Sequence, residues 1–185
     1  MKNAAKLLKD KLPQLREAFG TLAKNEVLVG VPRDDAARKD EDPSKPQMNN
    51  ATLAYIHDNG SPAANIPARP FMRPGIEAAQ KQISEFMGNG ASQVLQGNAG
   101  AVDRALAKAG LTAQASIRNT INEGIAPELK ESTLRGRIRQ GVAVKGAKAE
   151  LAARDAGEAA GSHAKPLIAT GQLRNSINYV IRGKK

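Results

Sequence analysis

The sequence contains no cysteine, which excludes disulfide bonds, thiolate nucleophiles and cysteine-ligated metal sites. It also contains no tryptophan, and aromatic residues make up only 3% of the chain, so we expect an aliphatic core. No apolar run approaches the roughly 20 residues that a membrane-spanning helix needs. The first residues include lysines but no apolar segment typical of secretory signal peptides. We therefore expect synthesis in a cytoplasm and no membrane partner.

Residues that commonly carry catalysis are also scarce. The chain has two histidines, and a helix-end histidine is a simpler interpretation of His57 than a catalytic base, although Asp58 follows it. His163 lies in a low-complexity segment, and two isolated histidines do not make a zinc site. No Gly-Lys-Ser/Thr motif for phosphate binding occurs. We predict that the protein is not an enzyme and has no cofactor, and a hydrolase that uses His57 is the weakest hypothesis.

The chain is strongly basic, with a formal net charge of +10 and a pI near 10.0. Such an excess implies an acidic partner, namely nucleic acid, an acidic protein surface or an anionic membrane. Residues 130–148 hold six cationic residues and one acidic residue, but no aromatic residue on which a base could stack. Any DNA contact is therefore expected to use phosphates. A solvated face is the simpler alternative. The candidate basic surface is Arg135, Arg137, Arg139, Lys145 and Lys148.

Apolar periodicity and chain breakers predict a mainly helical chain with two strands. Asn50 is the predicted cap of the second helix, which Asn59 and Gly60 end. The segment 88–90, Gly-Asn-Gly, predicts a weakened or broken helix. The predicted helices cover residues 4–23, 51–58, 75–87 and 99–123, and the predicted strands cover 26–32 and 176–182. Residues 128–140 predict either a short helix or an ordered loop. Residues 32–49 and 141–164 predict mobile loops, the second with a helical piece at 147–156.

A proline-rich stretch, IPARPFMRP, covers residues 66–74 and is called the proline arm below. Proline fixes φ near −65° and pushes the preceding residue toward an extended conformation, so the arm is predicted to be stiff and extended. A helix is expected to follow, because Pro74 fits in a first helical turn. The arm is either a rigid connector between two helices or a docking element.

A second motif, PLIATGQLRNSI, covers residues 166–177. The hydroxyl of Thr170 is predicted to cap one helical turn over residues 171–175. The structural motif consists of Thr170, Gly171, Gln172, Leu173 and Arg174.

Residues 52–76, the segment 129–139 with ESTLR, and residues 166–177 follow one another in a characteristic order. In this order they resemble the tailed-bacteriophage neck and tail-completion proteins. That group includes the virion-morphogenesis proteins of Mu-like phages and the head–tail joining proteins of lambdoid phages. The resemblance implies one α+β neck-protein domain over residues 1–185, with a small antiparallel sheet flanked by helices and long loops. It also implies a ring, commonly sixfold, between the head-side connector and the tail tube.

The resemblance implies partners and interfaces as well. The expected partners are further copies of the chain in a hexameric ring, a head-side connector or stopper, the tail-tube protein and passing DNA bound without sequence specificity. The basic surface is expected to face the DNA channel or an acidic neighbouring ring, and the protein is expected in the virion. The alternative is a basic nucleic-acid-binding protein with non-specific phosphate contacts. The residues expected to contact an adjacent subunit or ring are Ile66, Pro67, Arg69, Pro70, Phe71, Met72 and Arg73.

Overall fold

The computed structural model describes residues 24–35, 37–38, 48–98 and 100–183, together with Pro13, Arg16, Glu17 and Gly20. These four residues are helical, and the rest of the helix predicted over 4–23 lies outside the described residues. Half of the loop predicted over 32–49 also lies outside them. None of the helices in the described residues is long and apolar enough to cross a membrane.

The described chain has an α+β fold with a small two-stranded antiparallel sheet, as predicted. The strands are β1 (Asn25–Gly30) and β2 (Asn178–Gly183), and an ion pair between Glu26 and Arg182 joins them at 2.7 Å. The helices are α1 (Asn50–Asn59), α2 (Met72–Leu95), α3 (Ala101–Glu123), α4 (Glu131–Arg139), α5 (Val144–Asp155) and α6 (Gln172–Ser176).

Helix α2 runs through residues 88–90, so the predicted break there is wrong. Each glycine inside a helix costs roughly 1 kcal/mol relative to alanine, and this cost suggested an end. A Cβ atom on Gly90 would lie 2.5 Å from the Cβ atom of Ala105 in α3. Glycine at this position therefore permits a close contact between α2 and α3, and the packing of the two helices outweighs the local cost.

Residues 144–155 form helix α5, so the loop predicted over 141–164 is wrong at residues 144–146. The predicted helical piece at 147–156 is confirmed over residues 147–155. Alanine is abundant here and favours a helix. Ala147, Glu150 and Ala153 are buried on one side of this helix. Their burial stabilises a helix whose apolar periodicity is weak.

The described chain divides into two compact units. The first contains the described residues of 1–29, 78–115 and 179–185, and the second contains those of 30–77 and 116–178. The core of the first unit includes Val94, Val102 and Leu106, and that of the second includes Leu129 and Leu134. Both clusters are aliphatic, as expected. The prediction of one domain over residues 1–185 stays a prediction.

Candidate binding site

Helix α1 supplies one wall of the candidate site, and asparagine side chains fix its start. The side chain of Asn49 accepts a hydrogen bond from the Thr52 backbone N–H at 2.8 Å, so Asn49 and not Asn50 is the cap. The side chain of Asn50 is buried, accepts a hydrogen bond from Arg38 at 2.9 Å and donates one to the Ala37 carbonyl at 3.3 Å. As predicted, Gly60 ends the helix, with a φ of 79°.

The proline arm is attached to the end of α1 by backbone hydrogen bonds. The Arg69 N–H donates to the His57 carbonyl at 2.7 Å, and one oxygen of Asp58 accepts from the Phe71 and Met72 N–H groups at 2.8 and 3.0 Å. Asp58 thereby satisfies free donors at the start of α2. Because α2 begins at Met72, residues 72–74 are helical, and the predicted extended arm is shortened to residues 66–71 at most. Pro74 lies in the first helical turn, where it needs no hydrogen bond.

Two arm residues that were expected to contact a neighbour instead contact their own chain. Phe71 is fully buried, and Arg69 is 7% exposed. The Arg69 guanidinium donates to the Pro127 carbonyl at 2.9 Å and to the Glu128 carbonyl at 3.3 Å. These contacts hold the arm against the segment before α4. The expectation of an interface is therefore kept for Ile66, Pro67, Pro70, Met72 and Arg73 and withdrawn for the two buried side chains.

Helix α4 is attached to the second motif by an arginine. The Arg137 guanidinium donates to the Ile168 carbonyl at 3.0 Å. The next element, α6, begins at Gln172 with Gly171 as its N-terminal cap, so the predicted cap at Thr170 is displaced by one residue. The Thr170 hydroxyl still accepts a hydrogen bond from the Gln172 N–H, at 3.4 Å. Leu173 is buried, and α6 packs against α1.

These segments together line one cavity of about 510 Å³, which we call the basic groove. Its walls come from Arg38, α1, residues 65–69, residues 127–137 and residues 167–173. Aliphatic side chains form much of the surface, including Leu53, Leu129 and Leu173. The four cationic residues at the groove are Arg38, Arg69, Lys130 and Arg137, and the one carboxylate residue is Glu128.

Several basic side chains lie close together at the groove, and their pKa values are lowered. Burial lowers the pKa of Arg137, and the nearby charge of Arg69 lowers it further. Burial also lowers the pKa of Arg69, against a smaller opposing effect of Glu128. The pKa of His57 is lowered by burial and by Arg69, so this imidazole is neutral near pH 7. Because arginine stays charged in proteins, the groove carries a positive potential.

The predicted basic surface divides between two places. Arg137 lines the groove, whereas Arg139, Lys145 and Lys148 are exposed on α4 and α5, which pack against each other. Arg135 is also exposed and forms an ion pair with Glu131 in the same helix, at 2.7 Å. The residues for which DNA or an acidic ring remains the expected partner are therefore mainly the three on the outside.

Sequence patterns missed several residues that organise the site. Asp58 and Lys130 drew attention only as neighbours of other motifs, and Glu150 carried no signal at all. In the described part of the chain, no cluster of three or more His, Cys, Asp or Glu side chains could hold a metal ion. The arrangement of cationic side chains and apolar walls is suited to binding a ligand with acidic and apolar groups.

Comparisons with known proteins add one short similarity. No protein-family model matches the chain, and no solved structure matches it. An uncharacterized protein of Methanocaldococcus jannaschii is 40% identical over 40 residues, which is 22% of this chain. The matched segment covers 30% of that archaeal protein.

Proposed function

We propose that the protein is a structural subunit of a tailed-bacteriophage neck. It forms a ring that completes the tail, joins the tail tube to the head-side connector and lets DNA pass. The observation that carries this proposal is the convergence of three segments in one groove. These are the proline arm, the start of α4 and the motif around Thr170, which are the segments of the resemblance.

Side chain to backbone bonds hold these distant segments together. Arg69 joins the arm to residues 127 and 128, and Arg137 joins α4 to residue 168. The motifs are thus parts of one tertiary arrangement. This supports the resemblance, because a family relation requires its motifs to be compatible with a single fold.

The sheet supports a role in assembly. Within the described residues, β1 and β2 pair only with each other, and two-stranded sheets are marginally stable on their own. Leu28 is 38% exposed, and Val180 and Ile181 are each 41% exposed. A neighbouring subunit that covers these side chains would remove them from water. Head-to-tail contacts of this kind close into rings.

The proposal specifies partners and location. The protein binds further copies of itself in a ring that we expect to be hexameric, a head-side connector or stopper on one side and the tail-tube protein on the other. It resides in the virion neck and performs no catalysis. Exposed Arg139, Lys145 and Lys148 meet either the DNA channel or an acidic ring surface.

Deletion of the gene from the phage or prophage that encodes the chain tests this function. Electron microscopy of the lysate is expected to show DNA-filled heads and separate tails, with infectivity restored by the wild-type gene in trans. Joined, infectious particles from the deletion strain would contradict the proposal.

A second function, non-specific nucleic-acid binding, is favoured by the exposed cations of α4 and α5. Its mark is DNA affinity that falls by about 40-fold between roughly 50 and 200 mM salt, as three phosphate contacts predict. Such affinity in the isolated protein, together with normal head–tail joining in the deletion strain, would favour this alternative over the neck subunit.

A further inference from the structure

The basic groove has unused capacity to donate hydrogen bonds to an anion. Arginine has five N–H donors. Arg69 uses two of them on carbonyl oxygens and Arg137 uses one, and neither guanidinium has a carboxylate partner within the described residues. The charge of Arg69 lowers the pKa of Arg137, and a bound anion would oppose this effect. A carboxylate is a strong acceptor for such paired donors.

The groove is too large and too apolar to be only a site for a small anion. Its volume of about 510 Å³ falls in the range of pockets that hold drug-sized ligands. Leu53, Ile66, Leu129 and Leu173 contribute apolar surface that a phosphate ion would leave uncovered. A suitable ligand therefore combines carboxylates with aliphatic groups, as a peptide that contains Asp or Glu beside Leu or Val does.

We infer that the basic groove binds an acidic segment of another protein, in which carboxylate and aliphatic side chains are interspersed. The carboxylates bind Arg69, Arg137 and Lys130, and the aliphatic side chains pack on the leucine walls. Single-stranded nucleic acid is the poorer occupant, because the described lining of the groove contains no Phe, Tyr or Trp for base stacking, and its one ring, that of His57, is partly buried. This inference does not depend on the neck function.

Lys130 and Lys148 provide a matched pair of variants for the test. Both lysines are exposed, but Lys130 lines the groove and Lys148 lies outside it on α5. Lys130 donates one long hydrogen bond, to Asn65 at 3.4 Å, so its replacement leaves the fold intact. Lys130→Glu and Lys148→Glu change the net charge equally, and a general charge effect would weaken binding equally in both.

The probe is a fluorescent eight-residue peptide in which Glu alternates with Leu, titrated into the full-length protein and read by anisotropy. Lys130→Glu is expected to weaken binding by about tenfold or more, and Lys148→Glu by less than about twofold. In heteronuclear NMR of the same complex, the amides of Thr133, Thr170 and Gly171 are expected to shift.

Three results would overturn the inference. They are the absence of binding by the Glu peptide, equal weakening by the two variants, and tighter binding of a Lys-for-Glu peptide or of an eight-nucleotide thymidine strand at the same amides. The experiment uses purified protein alone, so a negative result would leave the deletion phenotype as an independent test of the neck proposal.

Discussion

Glu150 fastens the segment that follows α5 to that helix. Its carboxylate is fully buried and accepts hydrogen bonds from the N–H groups of Gly161, His163 and Ala164, and from Arg154. Burial raises the pKa of Glu150, but these hydrogen bonds outweigh burial and lower the pKa to about 2. A single buried acceptor thus organises a stretch that has no regular structure of its own.

The lowered pKa predicts a specific loss of stability in acid. Because the folded chain holds the charged form, the stabilisation is present above the ordinary pKa of 4.5 and is lost as the pH falls toward about 2. Glu150→Gln is expected to cost about 1–3 kcal/mol at pH 7 and to flatten the pH dependence in that window. Urea unfolding at several pH values measures both effects.

The exposed Glu85 provides the control for this prediction. Glu85→Gln is expected to leave both the free energy of unfolding and its pH dependence nearly unchanged. If Glu150→Gln unfolds with the same pH dependence as the wild type, the role assigned to the buried carboxylate is wrong.

Arg69 is a buried cation of the proline arm and Arg73 is an exposed one, so variants of the two can be compared. Arg69→Gln is expected to destabilise the fold by about 1–3 kcal/mol, because the carbonyls of Pro127 and Glu128 lose their donors. Arg73→Gln is expected to change the stability much less than Arg69→Gln, since its ion pair with Glu77 is exposed. Equal unfolding midpoints in urea would show that Arg69 does not hold the arm.

Alanine variants of two glycines in α2 distinguish the effect of helix propensity on stability from that of packing. A Cβ atom added at Gly88 meets nothing within 4 Å, whereas one at Gly90 meets Ala105. Gly88→Ala is therefore expected to stabilise the protein by up to about 1 kcal/mol. Gly90→Ala is expected to destabilise it by about 1–3 kcal/mol through overpacking. Thermal unfolding of the two variants measures the difference, and stabilisation by both would contradict the close contact of α2 and α3.

The elements that sequence predicts well are those with local signals. β-Branched residues predicted β1, and Asn59 with Gly60 predicted the end of α1. The predictions that were wrong concern positions where long-range contacts determine the structure. Gly90 lies inside a helix because it packs closely on Ala105, and a Cβ atom on Gly110 would overlap the ring of Tyr179.

The sequence predicted the segments that form the candidate site but not the contacts between them. Sequence indicated the proline arm and the Thr170 motif, and the resemblance placed them in one family pattern. The sequence could not show that the side chains of Arg69 and Phe71 are buried. A proline-rich segment with cationic and apolar side chains is equally typical of an exposed docking element. The bonds from Arg69 and Arg137 end on backbone carbonyls, which leave no pattern in the sequence.

For the whole molecule the net charge is +10, and the described cations include those of the basic groove and those exposed on α4 and α5. The exposed surface of α4 and α5 is a candidate for contact with DNA or an acidic ring. Reversal of charge at Arg139, Lys145 and Lys148 is expected to lower the yield of infectious particles by about tenfold or more, because like charges then meet. Complementation of the deletion strain by this variant measures the yield, and full complementation would rule out a role for the surface.

The most direct test of the neck assignment is the position and number of copies of the chain in purified particles. Quantitative mass spectrometry is expected to find about six copies per particle, as the hexameric ring implied by the resemblance requires, and immunogold labelling is expected to place them at the head–tail junction. Absence from purified particles, or labelling over the capsid or along the tail, would contradict the account.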